Sequence, residues 1–212
     1  MTHPLFGNHV PIVAILRGIK PEEADAAFDA LVAAGITLIE VPLNSPDPLV
    51  SIERMVKRAA GRAKVGAGTV LTEEQVQAVK DVGGELIVSP NADAAVIRKT
   101  KALGMESYPG VFTPTEAFAA LAAGADALKF FPAELIGTAG IKAMKAVLPK
   151  HVPVLAVGGA NEGNFADFLK VGCAGFGIGS NIYKPGMTAA EIGERAAKLV
   201  AAFAVAQAAA TA

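Results

Sequence analysis

Two charged residues stand where an apolar strand would be expected, and together they could make and break a bond to a carbonyl carbon. Lys129 lies in the run ADALKFFP, residues 125–132, with Leu128 and Phe130 beside it. In a strand, side chains alternate in direction, so Ala127, Lys129 and Phe131 would share one face. A lysine held in such a run loses hydration, which lowers its pKa and yields the neutral amine that attacks carbonyls. The competing reading is a lysine whose stem covers apolar surface while its ammonium reaches water. Glu40 occupies a similar place in LIEVP, residues 38–42. A buried carboxylate there costs several kcal/mol unless it is paired or hydrogen-bonded. It is either half of an ion pair with Arg17 or Lys129, or a general acid/base beside the amine. An amine with one carboxylate is the minimal equipment for Schiff-base chemistry.

Such residues need elements to hold them, and the chain supplies a regular series. Short β-rich apolar runs fall at 11–16, 37–43, 63–67, 85–88, 105–109, 127–131, 154–157 and 175–178. Helical segments alternate with them, starting near Pro21, Pro48, Thr72, Asp93, Thr113, Gly137, Glu162 and Thr188. Thr72-Glu73-Glu74-Gln75 is a capping box, and Pro21 with two acids makes a first turn. Gly35, Gly83, Gly104, Gly124 and Gly172 suit left-handed helix ends. Eight strand–helix units predict parallel strands and an α/β fold, a single (β/α)8 TIM barrel covering about residues 11–205 of a one-domain chain 1–212. A doubly wound open sheet is the alternative, but no glycine-rich dinucleotide turn follows the first strand. Barrel sites form at the C-terminal ends of strands, and polar residues gather there: Arg17, Glu40, Thr69, Asn91, Lys129, Gly158-Gly159 and Gly179-Ser180-Asn181.

Gly158-Gly159 after strand 7 and Gly179-Ser180 after strand 8 fit the place where barrels seat a phosphate, since glycine lets backbone N–H groups approach an anion closely. Arg17 could clamp a carboxylate or a phosphate. Composition excludes several other roles. A net charge of -1 without a basic stripe argues against nucleic acid, and no run is long and apolar enough to span a membrane. The start MTHPLFGNHVP lacks the form of a secretory signal, and one cysteine, Cys173, permits no disulfide framework, so a cytoplasmic setting is expected. Three scattered histidines give no metal-ligand spacing. The residues thus predict a barrel enzyme acting on a small phosphorylated carbonyl compound through an imine. The rivals are a sugar-phosphate isomerase or epimerase and a non-catalytic sensor of phosphorylated ligands.

The segments ILRG (15–18), IEVPLNSP (39–46), VGAGTV (65–70), VSPN (88–91), PG (109–110), ALKFFP (127–132), AVGG (156–159) and GIGS (177–180) occur in an order that resembles the class I 2-keto-3-deoxy-6-phosphogluconate and 6-phosphogalactonate aldolases. The resemblance covers about residues 10–205. It implies Lys129 as the Schiff-base lysine and Glu40 as the acid/base residue working with a water. It implies Arg17, Thr69 and the turn at Pro90 around the pyruvyl carboxylate, and Phe131 as a flat wall beside the imine. Gly158, Gly159, Gly179 and Ser180 would hold the phosphate of a phosphorylated keto acid. No cofactor and no metal are implied, and a homotrimer is. Asn44 and its neighbours, where gluconate relatives carry a Thr-Leu-Arg-Thr type of sequence, and Val157, where they carry threonine, place the chain nearer the galactonate branch. Phe112-Thr113 departs from the smaller residues expected after strand 5, so that loop is expected to be shaped differently.

Overall fold

The computed structural model describes residues 3–211. Its strands are β1 Ile12–Ile15, β2 Leu38–Pro42, β3 Lys64–Gly68, β4 Leu86–Val88, β5 Glu106–Tyr108, β6 Gly110–Val111, β7 Leu128–Phe130, β8 Val154–Val157 and β9 Gly175–Ile178. All paired neighbours are parallel, in the order β5-β4-β3-β2-β1-β9-β8-β7-β6. The two ends of that order are consecutive pieces of one strand. Pro109 has no N–H to give a ladder, so the strand is divided there. Residues on either side bond to opposite neighbours: Ser89 N–H donates to Tyr108, while Lys129 N–H donates to Pro109 and Phe131 N–H to Val111. The expected eight-stranded parallel barrel is therefore what forms, with its fifth strand in two parts.

Among the described residues eight α-helices surround it: α1 Pro21–Ala33, α2 Pro48–Ala59, α3 Glu73–Asp81, α4 Ala94–Ala102, α5 Pro114–Ala122, α6 Ala133–Val147, α7 Phe165–Lys170 and α8 Ala189–Thr211. The Thr72 capping box is made, and Asp93 and Thr113 cap α4 and α5. The five helix-ending glycines take φ between +71° and +101°. Two helix starts differ from the sequence expectation. Helix α6 begins at Ala133, four residues before Gly137, and Gly137 (φ 67°, ψ 168°) interrupts it after one turn. Helix α7 begins at Phe165 because an Asx turn occupies the preceding residues. Asn161 Oδ1 accepts from Gly163 N–H and Asn164 Oδ1 from Asn161 N–H, a side-chain competition with the helix backbone.

Alternation along the strands sorts the core into two layers. Ile12, Ala14, Ile39, Val41, Ile87, Leu128, Phe130, Val154, Ala156 and Phe176 face the helices, whereas Val13, Ile15, Leu38, Leu86, Val88, Tyr108, Ala127, Leu155 and Val157 fill the barrel. Phe6, from the 3-10 turn Pro4–Phe6, plugs the N-terminal end of that interior. Above it, Tyr108 donates to Glu106 Oε2 at 2.7 Å, and Glu106 pairs with Lys64. The lower half of the barrel is thus filled and its polar groups satisfied, which confines open space to the upper end. Among the described residues no helix is long and apolar enough to cross a membrane.

Phe176 stacks on Phe165 with ring centroids 4.2 Å apart and meets Phe203 edge-on at 6.1 Å, joining β9 to α7 and α8. Phe176→Ala is expected to lower unfolding free energy by about 3–5 kcal/mol in urea titrations. A loss under about 1 kcal/mol would show that this junction does not carry the outer core.

Candidate active site

Lys129 sits at the centre of β7, 7% exposed, and Glu40 at the centre of β2, 2% exposed. Both point into the barrel and line one small cavity of about 10 Å³ together with Ile15, Val88, Tyr108, Leu155, Val157 and others. That volume is on the scale of a single water. Neither residue belongs to any of the ion pairs formed among the described residues. They feel one another as charges without touching. Burial lowers the pKa of Lys129, with the Glu40 charge opposing and Arg17 adding to the shift. Burial pushes Glu40 up to about 7, against the attraction of Lys129 and Arg17.

The unusual state of Glu40 has a visible cause across the sheet. Gly68 pairs with Pro42 in the β2–β3 register, and a Cβ on Gly68 would overlap Glu40 Oε2. The missing side chain lets the carboxylate lie against β3, where Oε2 is buried and has no hydrogen-bond partner among the described residues. An unsatisfied buried oxygen favours the protonated form. A carboxyl titrating near neutrality can both take a proton and return it.

Directly above, an open cleft of about 530 Å³ shares Ile15, Val157 and Gly177 with the small cavity. Arg17, Phe131, Gly158, Gly159, Gly179 and Ser180 line it, so seven of the residues expected from sequence, counting Val157, meet in one space. Phe131 lies beneath the amine, with Lys129 Nζ 4.6 Å from its ring centroid, a cation–π distance for the charged form. The N–H groups of Gly159, Ser180 and Asn181 donate to no acceptor among the described residues and remain free for an anion.

Thr69 joins through Arg17: both terminal nitrogens of Arg17 approach Thr69 Oγ1 at 3.5 Å. Thr69 holds φ at 57°, a left-handed conformation that a β-branched residue rarely adopts, at the exit of β3. Arg17 also donates to Asn44 Oδ1 at 2.5 Å, and Gly18 N–H donates to Ser45 Oγ, tying the β1 and β2 exits together. Pro90 is half-buried after β4 and lines neither space; its carbonyl lies where a Cβ on Gly110 would fall. Phe112 is exposed and also lines neither, because its N–H and that of Thr113 bond Glu116 at the start of α5. The sequence reading did not single out Gly68, Glu134 or Asn161, although the cleft contains the last two.

This geometry can be set beside known proteins. Residues 7–199 match the family described as KDPG and KHG aldolase. The chain belongs to the KDPG and KHG aldolase family. A probable 2-dehydro-3-deoxy-6-phosphogalactonate aldolase of Rhizobium meliloti (strain 1021) is 55% identical over 200 residues, covering 94% of each chain. The native KDPGal structure superposes with a TM-score of 0.92 at 46% identity, covering 94% of this chain and 97% of that one. The 2-keto-3-deoxy-6-phosphogluconate aldolase of Zymomonas mobilis ZM4, solved with 3-phosphoglycerate, gives a TM-score of 0.82 at 31% identity over 92% of both chains. Within this aldolase family the chain is similar to the galactonate members over nearly its full length.

The shifted carboxyl makes a stability signature. Between pH 4.5 and about 7 the folded chain keeps a proton on Glu40 that the unfolded chain releases, so stability falls as pH rises through that window. Glu40→Gln removes this slope. The melting temperature of the variant relative to the parent is expected to climb from about pH 5 to about pH 8 and then level off. A constant difference across that range would mean that Glu40 titrates as an ordinary carboxyl.

Proposed function

We propose that this chain is a class I aldolase that cleaves 2-dehydro-3-deoxy-6-phosphogalactonate to pyruvate and D-glyceraldehyde 3-phosphate. The observation that carries the reading is the desolvated Lys129 amine sharing a buried cavity with a proton-holding Glu40 beneath a cleft lined by an arginine and by loops with free backbone N–H groups. Lys129 Nζ adds to the C2 carbonyl, and Glu40 gives its proton to the departing hydroxyl, so that water leaves, an iminium forms and Glu40 is left ionised. Glu40, directly or through a water, takes the proton of the C4 hydroxyl. The C3–C4 bond then breaks, its electron pair moves into the iminium to make an enamine, and the aldehyde leaves. The proton returns to C3, and water releases pyruvate and the free amine.

Binding follows the same division of the cleft. Arg17, steadied by Asn44 and Thr69, supplies a forked cation for the pyruvyl carboxylate. Gly158, Gly159, Gly179 and Ser180 supply N–H and hydroxyl groups for the phosphate. The Zymomonas relative, solved with 3-phosphoglycerate, supports a seat for a three-carbon phosphate. Val157 lines both the cavity and the cleft and offers no hydrogen bond to the C4 oxygen, which supports the galactonate epimer, as do the name of the Rhizobium meliloti relative and the native KDPGal structure. Assembly as a homotrimer belongs to this reading and is open to sedimentation analysis.

Borohydride reduction in the presence of pyruvate is expected to add one reduced pyruvyl group at Lys129, located by peptide mass mapping, and Lys129→Met should show neither the adduct nor turnover while melting normally. An isomerase using Glu40 alone would give turnover without an adduct. For the epimers, Val157→Thr is expected to shift kcat/KM toward the 6-phosphogluconate substrate by roughly 10-fold, the scale of one hydrogen bond. An unchanged ratio in paired assays would remove Val157 from the discrimination.

A further inference from the structure

The cleft contains one charged group that neither the proton transfers nor the carboxylate clamp employs. Glu134 opens α6, and its N–H bonds Gly158 O at 3.2 Å, fixing this helix start to the glycine pair. Its side chain lies over Gly159, where a Cβ would come within 2.6 Å of Glu134 Cβ and 2.7 Å of Oε2. An acid in the first turn of a helix often bonds a free backbone N–H there. Glu134 does not: no helix N–H bonds its carboxylate, and it forms no ion pair with a described residue. Arg17 is the other charged residue on the cleft wall, and its hydrogen bonds run to Asn44 and Thr69.

We propose that Glu134 is a specificity-determining residue of the cleft, an unpaired carboxylate beside the anion seat that weakens the hold on a phosphate dianion and so hastens loss of the three-carbon phosphate product. This rests on the assignment of the glycine loops to the phosphate. The free N–H groups of Gly159, Ser180 and Asn181 attract an anion that Glu134, next to one of them, repels. Like charges side by side oppose binding strongly where solvent is excluded and less where the cleft is open and salt screens them. Affinity set this way stays moderate, which suits an enzyme that must release one anionic product before the enamine can be resolved. Glycine at 159 is then required twice, for its φ of 76° and for the space the carboxylate fills.

The test uses inorganic phosphate as a competitive inhibitor of cleavage by the full chain and by Glu134→Gln. The inhibition constant is expected to fall roughly 10-fold in the variant at low ionic strength, with the gap closing near ~0.5 M salt. KM for the phosphorylated substrate should fall with it. Glu134→Ala, which removes the charge and leaves no amide, should tighten phosphate in the same direction, and thermal melting verifies both folds. An inhibition constant that is unchanged or higher in both variants overturns the proposal, because a carboxylate that accepts a substrate hydroxyl would lose affinity when replaced. If phosphate fails to compete in the parent while pyruvate still traps on Lys129, the phosphate seat is misplaced and the proposal falls with it. If phosphate competes and Ser180→Ala weakens it, yet Glu134→Gln changes nothing, only the role of Glu134 falls.

Discussion

The whole arrangement depends on keeping an amine and a carboxyl in one dry space without letting them neutralise each other as a contact pair. An ion pair at hydrogen-bond distance would hold Lys129 charged and Glu40 ionised, and both would then be poor at their tasks. Separation inside the barrel lets burial dominate each group, so the amine tends toward its neutral form and the carboxyl toward its protonated one. Desolvation is the largest cause of both shifts, and the barrel is the device that produces it.

The barrel does so by being unequal along its axis. Phe6, Tyr108 and the Lys64–Glu106 pair close the lower end with satisfied polar groups and large apolar volume. Near the top, inward positions on β3 and β9 are taken by Gly68 and Gly177, and the interior widens into the cleft. Packing density below and glycine above turn a structural core into a pocket that opens only at the strand exits.

Much of this was legible in the sequence because it is local. Strand runs, capping boxes and helix-ending glycines are written within a few residues, and the eight-fold alternation carried the topology. Lys129 and Glu40 stood out because a charge in an apolar run is anomalous without any partner being known. What stayed hidden was pairwise across the fold. Nothing near Gly68 announces that a glutamate from the neighbouring strand needs its space, and nothing near Glu134 announces that its side chain lies over Gly159. The start of α7 at Phe165 rather than near Glu162 is also hidden from the sequence, because it depends on the side chains of Asn161 and Asn164 competing with the helix backbone. The apolar run at 105–109 covers only the first part of the fifth strand, which resumes at Gly110 and pairs on its other edge.

The contact between Gly68 and Glu40 reaches beyond this reaction. Positions 40 and 68 form one unit, since any side chain on β3 at that point displaces the carboxyl and any bulkier group on β2 meets bare backbone. Directed evolution of new aldehyde acceptors should therefore leave this pair untouched and diversify the exit loops that hold Asn161 and Asn181, where the cleft meets solvent and the chain can absorb volume.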